Sequence, residues 1–231
     1  MLNYLVKVSR HPAVWLGLLS FSAQAAPQMF TITATVVNTA SQIGEEAALD
    51  FGMVLSRLPP GGGTPGASGS SKVTVSAEGR VTSSQAPGAS MLMNVGSAAQ
   101  RGKYVVSGFP AGTTIGVSFK NEGGLALPLG RTAGEASCDY GSAADAMAAH
   151  KAVLVYKGDN PASTGSFFCV DSVTSNLTLS PAGMASITTG EKGASISLGA
   201  TLVSPVVPDG SQPKVIPQGP YSGQILIEVY L

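Results

Sequence analysis

Tyr221-Ser222-Gly223-Gln224-Ile225-Leu226-Ile227-Glu228-Val229-Tyr230-Leu231 is the stretch whose alternation decides the fold class. Side chains along a strand point to opposite faces with period two, so Ile225, Ile227, Val229 and Leu231 share one face. A terminus is where order normally decays unless it is tied into a sheet. An apolar final strand therefore implies a sheet that the C-terminus completes, or a surface that another protein pairs with.

The same alternation recurs toward the N-terminus. In Met29-Phe30-Thr31-Ile32-Thr33-Ala34-Thr35-Val36-Val37, the residues Phe30, Ile32, Ala34 and Val36 fall on one face with threonines opposite, a composition that favours a strand. Further strands are expected over residues 49–54, 72–76, 80–84, 91–95, 103–107, 114–120, 152–156, 167–173 and 194–203. Ala77-Glu78-Gly79 reads as a hairpin turn, with Gly79 supplying positive φ. Leu177-Thr178-Leu179-Ser180-Pro181-Ala182-Gly183 echoes Val73-Thr74-Val75-Ser76-Ala77-Glu78-Gly79, and both read as strand, turn, strand. Residues 59–71 are almost wholly Gly, Pro, Ser, Thr and Ala and read as a loop. Residues 143–150 could form one short helix. About ten short strands with Gly and Pro punctuation predict an all-β fold, an antiparallel β-sandwich of Ig-like or jelly-roll-like kind.

The first 25 residues read as a secretory signal. Lys7 and Arg10 precede the apolar run Ala-Val-Trp-Leu-Gly-Leu-Leu-Ser-Phe (13–21), and Ala23-Gln24-Ala25 offers small residues for cleavage after Ala25. That run is shorter than the roughly 20 residues a membrane span needs. The expected mature chain, 26–231, is one exported domain in the periplasm, at the cell surface or outside the cell, with no membrane span. Removing Lys7 and Arg10 from 13 basic and 13 acidic residues leaves 11 against 13, a net −2. With charged residues at 11%, no clustered basic surface for nucleic acid is expected. Cys138 and Cys169 are the two cysteines, and in an exported chain an even count reads as one disulfide. It would close a loop of about 30 residues, worth about 3–4 kcal/mol in the chain-entropy account.

Motifs for catalysis are missing or lack context. Gly61-Gly62-Gly63-Thr64-Pro65-Gly66 matches GxGxxG in letters, yet it follows Pro59-Pro60 and precedes no helix that could hold a pyrophosphate. There is no GxSxG elbow, and His150 sits in an Ala-rich stretch. Asp139, Asp145, Asp159 and Asp171 lack the alternate-residue spacing of a calcium loop. No catalytic residue, metal or cofactor is expected, and the chain does not read as an enzyme.

Several short motifs resemble a bacterial exported family, the domain of unknown function 4402: Leu49-Asp50-Phe51-Gly52, Val73-Thr74-Val75-Ser76 followed by Gly79, Leu198-Gly199-Ala200-Thr201-Leu202, and Tyr221-Ser222-Gly223 leading into the terminal strand. The resemblance covers both ends of the mature chain. Against it, the Gly-rich loop and residues 130–169 look like insertions, the second pinned by the disulfide. It implies an exported β-sandwich similar to fimbrial and spore-coat-U-like subunits, and no enzyme. The expectation is a structural or adhesive surface protein of pilin type that assembles by β-strand addition. Phe30, Ile32, Ala34 and Val36 are then the candidate donor strand. Ile225, Ile227, Val229 and Leu231 are the candidate strand for a periplasmic chaperone or an usher-delivered partner. The alternative is a monomeric binding module, for instance for a glycan, using loops 59–71 and 130–160 with Tyr140 and Tyr156 for stacking.

Overall fold

The computed structural model describes residues 27–36, 42–57, 71–85, 91–96, 98–121, 127, 153–156, 167–178, 184–203 and 218–231. These form thirteen strands: β1 (Pro27–Val36), β2 (Gln42–Ala47), β3 (Leu49–Arg57), β4 (Lys72–Val75), β5 (Val81–Ser84), β6 (Met91–Asn94), β7 (Gly102–Ser107), β8 (Thr114–Lys120), β9 (Val153–Tyr156), β10 (Phe167–Ser175), β11 (Met184–Thr188), β12 (Ala194–Val203) and β13 (Pro220–Tyr230). Among the described residues there is no helix; the helix expected over 143–150 lies outside them.

Alternation produces the strands where it was read. β13 buries Tyr221, Gly223, Ile225, Ile227 and Val229 and turns the residues between them outward; β7 buries Gly102, Tyr104 and Val106. The core joins Phe51, Tyr104, Phe119, Phe168 and Tyr221 with the aliphatic residues of β4, β8, β12 and β13. The second half of β12 departs from alternation, with Leu198 to Val203 buried without interruption. The turn after β4 lies over its outer face: a Cβ on Gly199 would sit 2.4 Å from the backbone of Val75, Ser76 and Ala77. Glycine at 199 is what lets the two backbones come this close. The turn itself follows the sequence reading, with Gly79 at φ +89°.

Two expectations are corrected. The strands do not divide into two separate sheets, because β12 and β13 each change partners along their length. β12 pairs with β7 through residues 194–198 and with β4 through 200–203. β13 pairs with β9 at Ser222 and with β8 through 226–230. All thirteen strands therefore belong to one sheet. Nor is it purely antiparallel, since β1 and β13 run parallel over eight residue pairs, from Met29↔Pro220 to Val36↔Ile227. A third expectation fails locally. Leu177 and Thr178 are not in a strand; Asn176 turns the chain there, its amide donating to Ser195 O (3.2 Å) and its Oδ1 accepting the Ser197 N–H (2.7 Å).

The parallel pair has a topological cause. Followed through its ladders, the sheet runs β5-β4-β12-β10-β9-β13-β1-β3-β6, and its two ends meet. Gln85 Nε2 donates to Leu92 O (2.6 Å) and Asn94 N–H donates to Ser83 Oγ (3.3 Å). Both bridges join residues whose numbers sum to 177, the constant sum of an antiparallel register. Side chains therefore close the seam between β5 and β6 in register, where a backbone ladder would close a barrel. A ring of nine strands cannot alternate direction all the way round, so one neighbouring pair must run parallel. Here it is β1 and β13. Two flaps leave the ring, β7 and β2 from β12, and β8 and β11 from β13.

Candidate functional site: the strand slot between β3 and β13

β1 sits between two strands, parallel to β13 on one side and antiparallel to β3 on the other. On the β13 side Phe30 stands opposite Tyr221, Ile32 opposite Gly223, Ala34 opposite Ile225 and Val36 opposite Ile227. On the β3 side Phe30 faces Gly52 and Ile32 faces Leu49. Ile32 is 1% exposed, a member of the central core. The candidate donor residues thus lie in register along one strand, and within this single chain that strand is paired with its own sheet.

A bulge in β3 fixes the register of β1. Between Phe30↔Gly52 and Thr31↔Asp50 the ladder skips Phe51; the extra residue turns its ring fully into the core. A bulge of this kind needs a left-handed residue, and Gly52 takes φ +68° with the Ala98–Ala99 backbone packed against it. The Asp50 carboxylate accepts the Gly52 N–H at 2.7 Å, while the Asp50 backbone exchanges both its hydrogen bonds with Gln100. Leu49-Asp50-Phe51-Gly52 is therefore a register device: slipping β1 by one residue would misplace the bulge and turn Ile32 out of the core.

The wall formed by β13 is equally specific. Ile225, Ile227 and Val229 are buried. Leu231, expected on the same face, lies past the end of β13 and is 87% exposed. Tyr221 packs edge-on against Phe168, ring centroids 5.3 Å apart, and burial pushes its hydroxyl pKa up to about 12. Gly223 admits β9: a Cβ there would lie 2.4 Å from Leu154 O. On the edge away from β1, β13 is held by β9 and β8, and an ion pair joins Glu228 to Lys120 at 2.6 Å. The C-terminal strand is thus paired on both sides within its own chain.

The remaining expectations fall as follows. Cys169 is buried on β10 opposite Leu154 and Val203; Cys138 lies outside the described residues, as do Tyr140, Asp139, Asp145, Asp159, His150, most of 130–169 and the signal segment. No cysteine among the described residues is free. Tyr156 sits half-buried on β9, opposite Phe167 and Ser222. Among the described residues no helix is long and apolar enough to cross a membrane. No known protein family, curated protein or solved structure matches the chain.

Sequence reasoning missed β2. Gln-Ile-Gly-Glu-Glu-Ala carries one β-branched residue and no alternation, and its strand state comes from pairing with β7. Burial also raises the Tyr104 hydroxyl pKa, with Glu45 of β2 adding to the shift.

Proposed function

We propose that this chain is an exported, non-enzymatic structural or adhesive surface subunit resembling pilin-type proteins, and that copies join by β-strand addition. In this reading β1 of one copy fills the slot between β3 and β13 of the next. The observation that carries it is that β1 is paired on both sides, parallel to β13 from Met29 to Val36 and antiparallel to β3 from Pro27 to Ile32. Withdrawing β1 would strip two ladders at once and open the core at Ile32. An unfilled slot is therefore unstable, and whatever fills it must match the bulge at Phe51. The same strand from a second copy meets every one of these requirements, the logic of domain swapping. If cleavage follows Ala25, β1 stands at the mature N-terminus, where a strand is free to exchange. During export a chaperone strand would hold the slot until a neighbour replaced it.

The motif resemblance points the same way. Asp50, Phe51 and Gly52 build the bulge, Gly199 carries the crossing turn and Tyr221-Ser222-Gly223 shapes the slot wall, so residues from three of the motifs have mechanical roles in the slot or the ring. The reading also includes a Cys138–Cys169 disulfide pinning residues 130–169 onto β10, supported by the cysteine count and the absence of a free cysteine among the described residues.

The test is a mature chain lacking residues 27–38, with and without the synthetic peptide Pro-Gln-Met-Phe-Thr-Ile-Thr-Ala-Thr-Val. The shortened chain should be unstable and gain a cooperative melt when the peptide is added. A shortened chain that folds and self-associates as the parent does would refute strand exchange.

A further inference from the structure

Four of the chain's 7 methionines, Met29, Met53, Met91 and Met93, lie on the neighbouring strands β1, β3 and β6. The ladders gather three of them. Met29 stands opposite Met53 across β1 and β3. Across β3 and β6, Met93 stands opposite Leu55, and Val95 donates its N–H to Met53 O at 2.9 Å. Met53 and Met93 are therefore diagonal neighbours on one face. That face is the outer one. The alternate residues Val54 and Leu92 are fully buried, whereas Met53 and Met93 are 40% and 37% exposed. Because Met53 turns its backbone bond toward β6, its pair with Met29 is the non-hydrogen-bonded, closer kind, with Cα atoms about 4.5 Å apart. Diagonal partners stand about 7–8 Å apart, still within reach of long side chains.

The chemistry of this cluster is narrow. A thioether is a soft, neutral, polarizable donor. Around the sulfurs the face carries Leu55 and Val95. The one acid in β1, β3 and β6 is Asp50, whose carboxylate accepts the Gly52 N–H at 2.7 Å. The Asn94 amide donates to Phe51 O at 2.6 Å. Hard cations such as calcium need several oxygen ligands, and among the described residues no group of three His, Cys, Asp or Glu could hold a metal ion. Gly96 keeps room beside Met53, since a Cβ there would lie 3.2 Å from the Met53 Cβ. Met91 stands opposite Arg57, whose charge opposes a bound cation.

We infer that Met29, Met53 and Met93 form a three-thioether site for a soft monovalent cation, Cu(I). Met53 is its centre, facing Met29 directly and Met93 diagonally. The two ladders of β3 hold all three Cα positions, so binding has only side chains to order. β1 keeps this register whichever copy supplies it, and the site stands or falls separately from strand exchange.

Silver(I) nitrate in chloride-free buffer is the probe, as a closed-shell analogue of Cu(I) that needs no reductant. The purified protein carries 13C-labelled methionine methyls, and any free thiol is first blocked with N-ethylmaleimide. Titration should shift the Met29, Met53 and Met93 methyl signals together, saturate at one equivalent, and leave Met184 of β11 in place. Cu(I) added without oxygen should shift the same three signals, and Zn(II) none. Met53→Leu and Met93→Leu preserve volume at exposed positions, so the fold should tolerate them. Each should weaken silver binding by roughly tenfold, the effect of about 1.4 kcal/mol, whereas Met184→Leu should bind as the parent does. No shift at one equivalent, shifts spread evenly over all the methionines, or equal binding by Met53→Leu and the parent would overturn the proposal.

Discussion

Gly199→Ala probes a close backbone approach in the ring. The added Cβ would lie 2.4 Å from Val75 O, Ser76 C and Ala77 N. All three are backbone atoms, so no rotamer change relieves the clash. Ordinary carbon contacts begin near 3.4 Å, and the β4–β5 hairpin must therefore lift by about 1 Å. That movement strains the four residue pairs joining β12 to β4 and loosens Val73 and Val75, both fully buried. Overpacking costs typically 1–3 kcal/mol, and a purely backbone clash places this case at about 3 kcal/mol. With a urea slope of about 2–3 kcal/mol/M, the unfolding midpoint should fall by roughly 1–1.5 M. Gly44→Ala on β2 is the control, because nothing lies within 4 Å of its Cβ position, and it should change stability by no more than about 0.5 kcal/mol. Equal midpoints for Gly199→Ala and the parent would refute the crossing of β12 by the hairpin turn.

Ile32→Ala leaves a cavity between β3 and β13 and should cost about 2–5 kcal/mol by urea titration; a cost under about 1 kcal/mol would place Ile32 outside the core. Tyr221 keeps its proton in the fold up to about pH 12, whereas the unfolded chain releases it near 10. Its contribution is therefore whole below pH 10 and is lost as pH rises toward 12, amounting to about 2–3 kcal/mol. Tyr221→Phe should flatten the alkaline limb of a stability–pH curve, leaving the part due to Tyr104; an unchanged limb would contradict the burial of the hydroxyl. Cys138→Ser should leave the ring folded while sensitising residues 130–157 to protease, and two reactive thiols in the native protein would rule out the disulfide.

Strands that carry their own signal were legible from sequence. β8 and β12 match the expected residues throughout, and β13 was found through the face of Ile225, Ile227 and Val229. Local pattern states which residues can form a strand, but partner choice is a property of the closed ring. That is why the parallel junction of β1 with β13 and the seam between β5 and β6 left no mark on periodicity. β2 was invisible for the converse reason: neighbours impose its conformation, and Gly44, Glu45 and Glu46 oppose it. The register role of Asp50-Phe51-Gly52 was visible as a motif but not as a mechanism, since a bulge is defined only against the strand it faces.

Exchange of β1 between copies is tested most directly by the Thr31↔Ser222 register pair. Thr31→Cys and Ser222→Cys are placed in separate chains, refolded together at high concentration and treated with a short thiol cross-linker. The account predicts a covalent heterodimer that bridges β1 of one chain to β13 of the other, absent from either variant refolded alone. Cross-linking confined to a single chain carrying both substitutions, with none between the mixed variants, would contradict it.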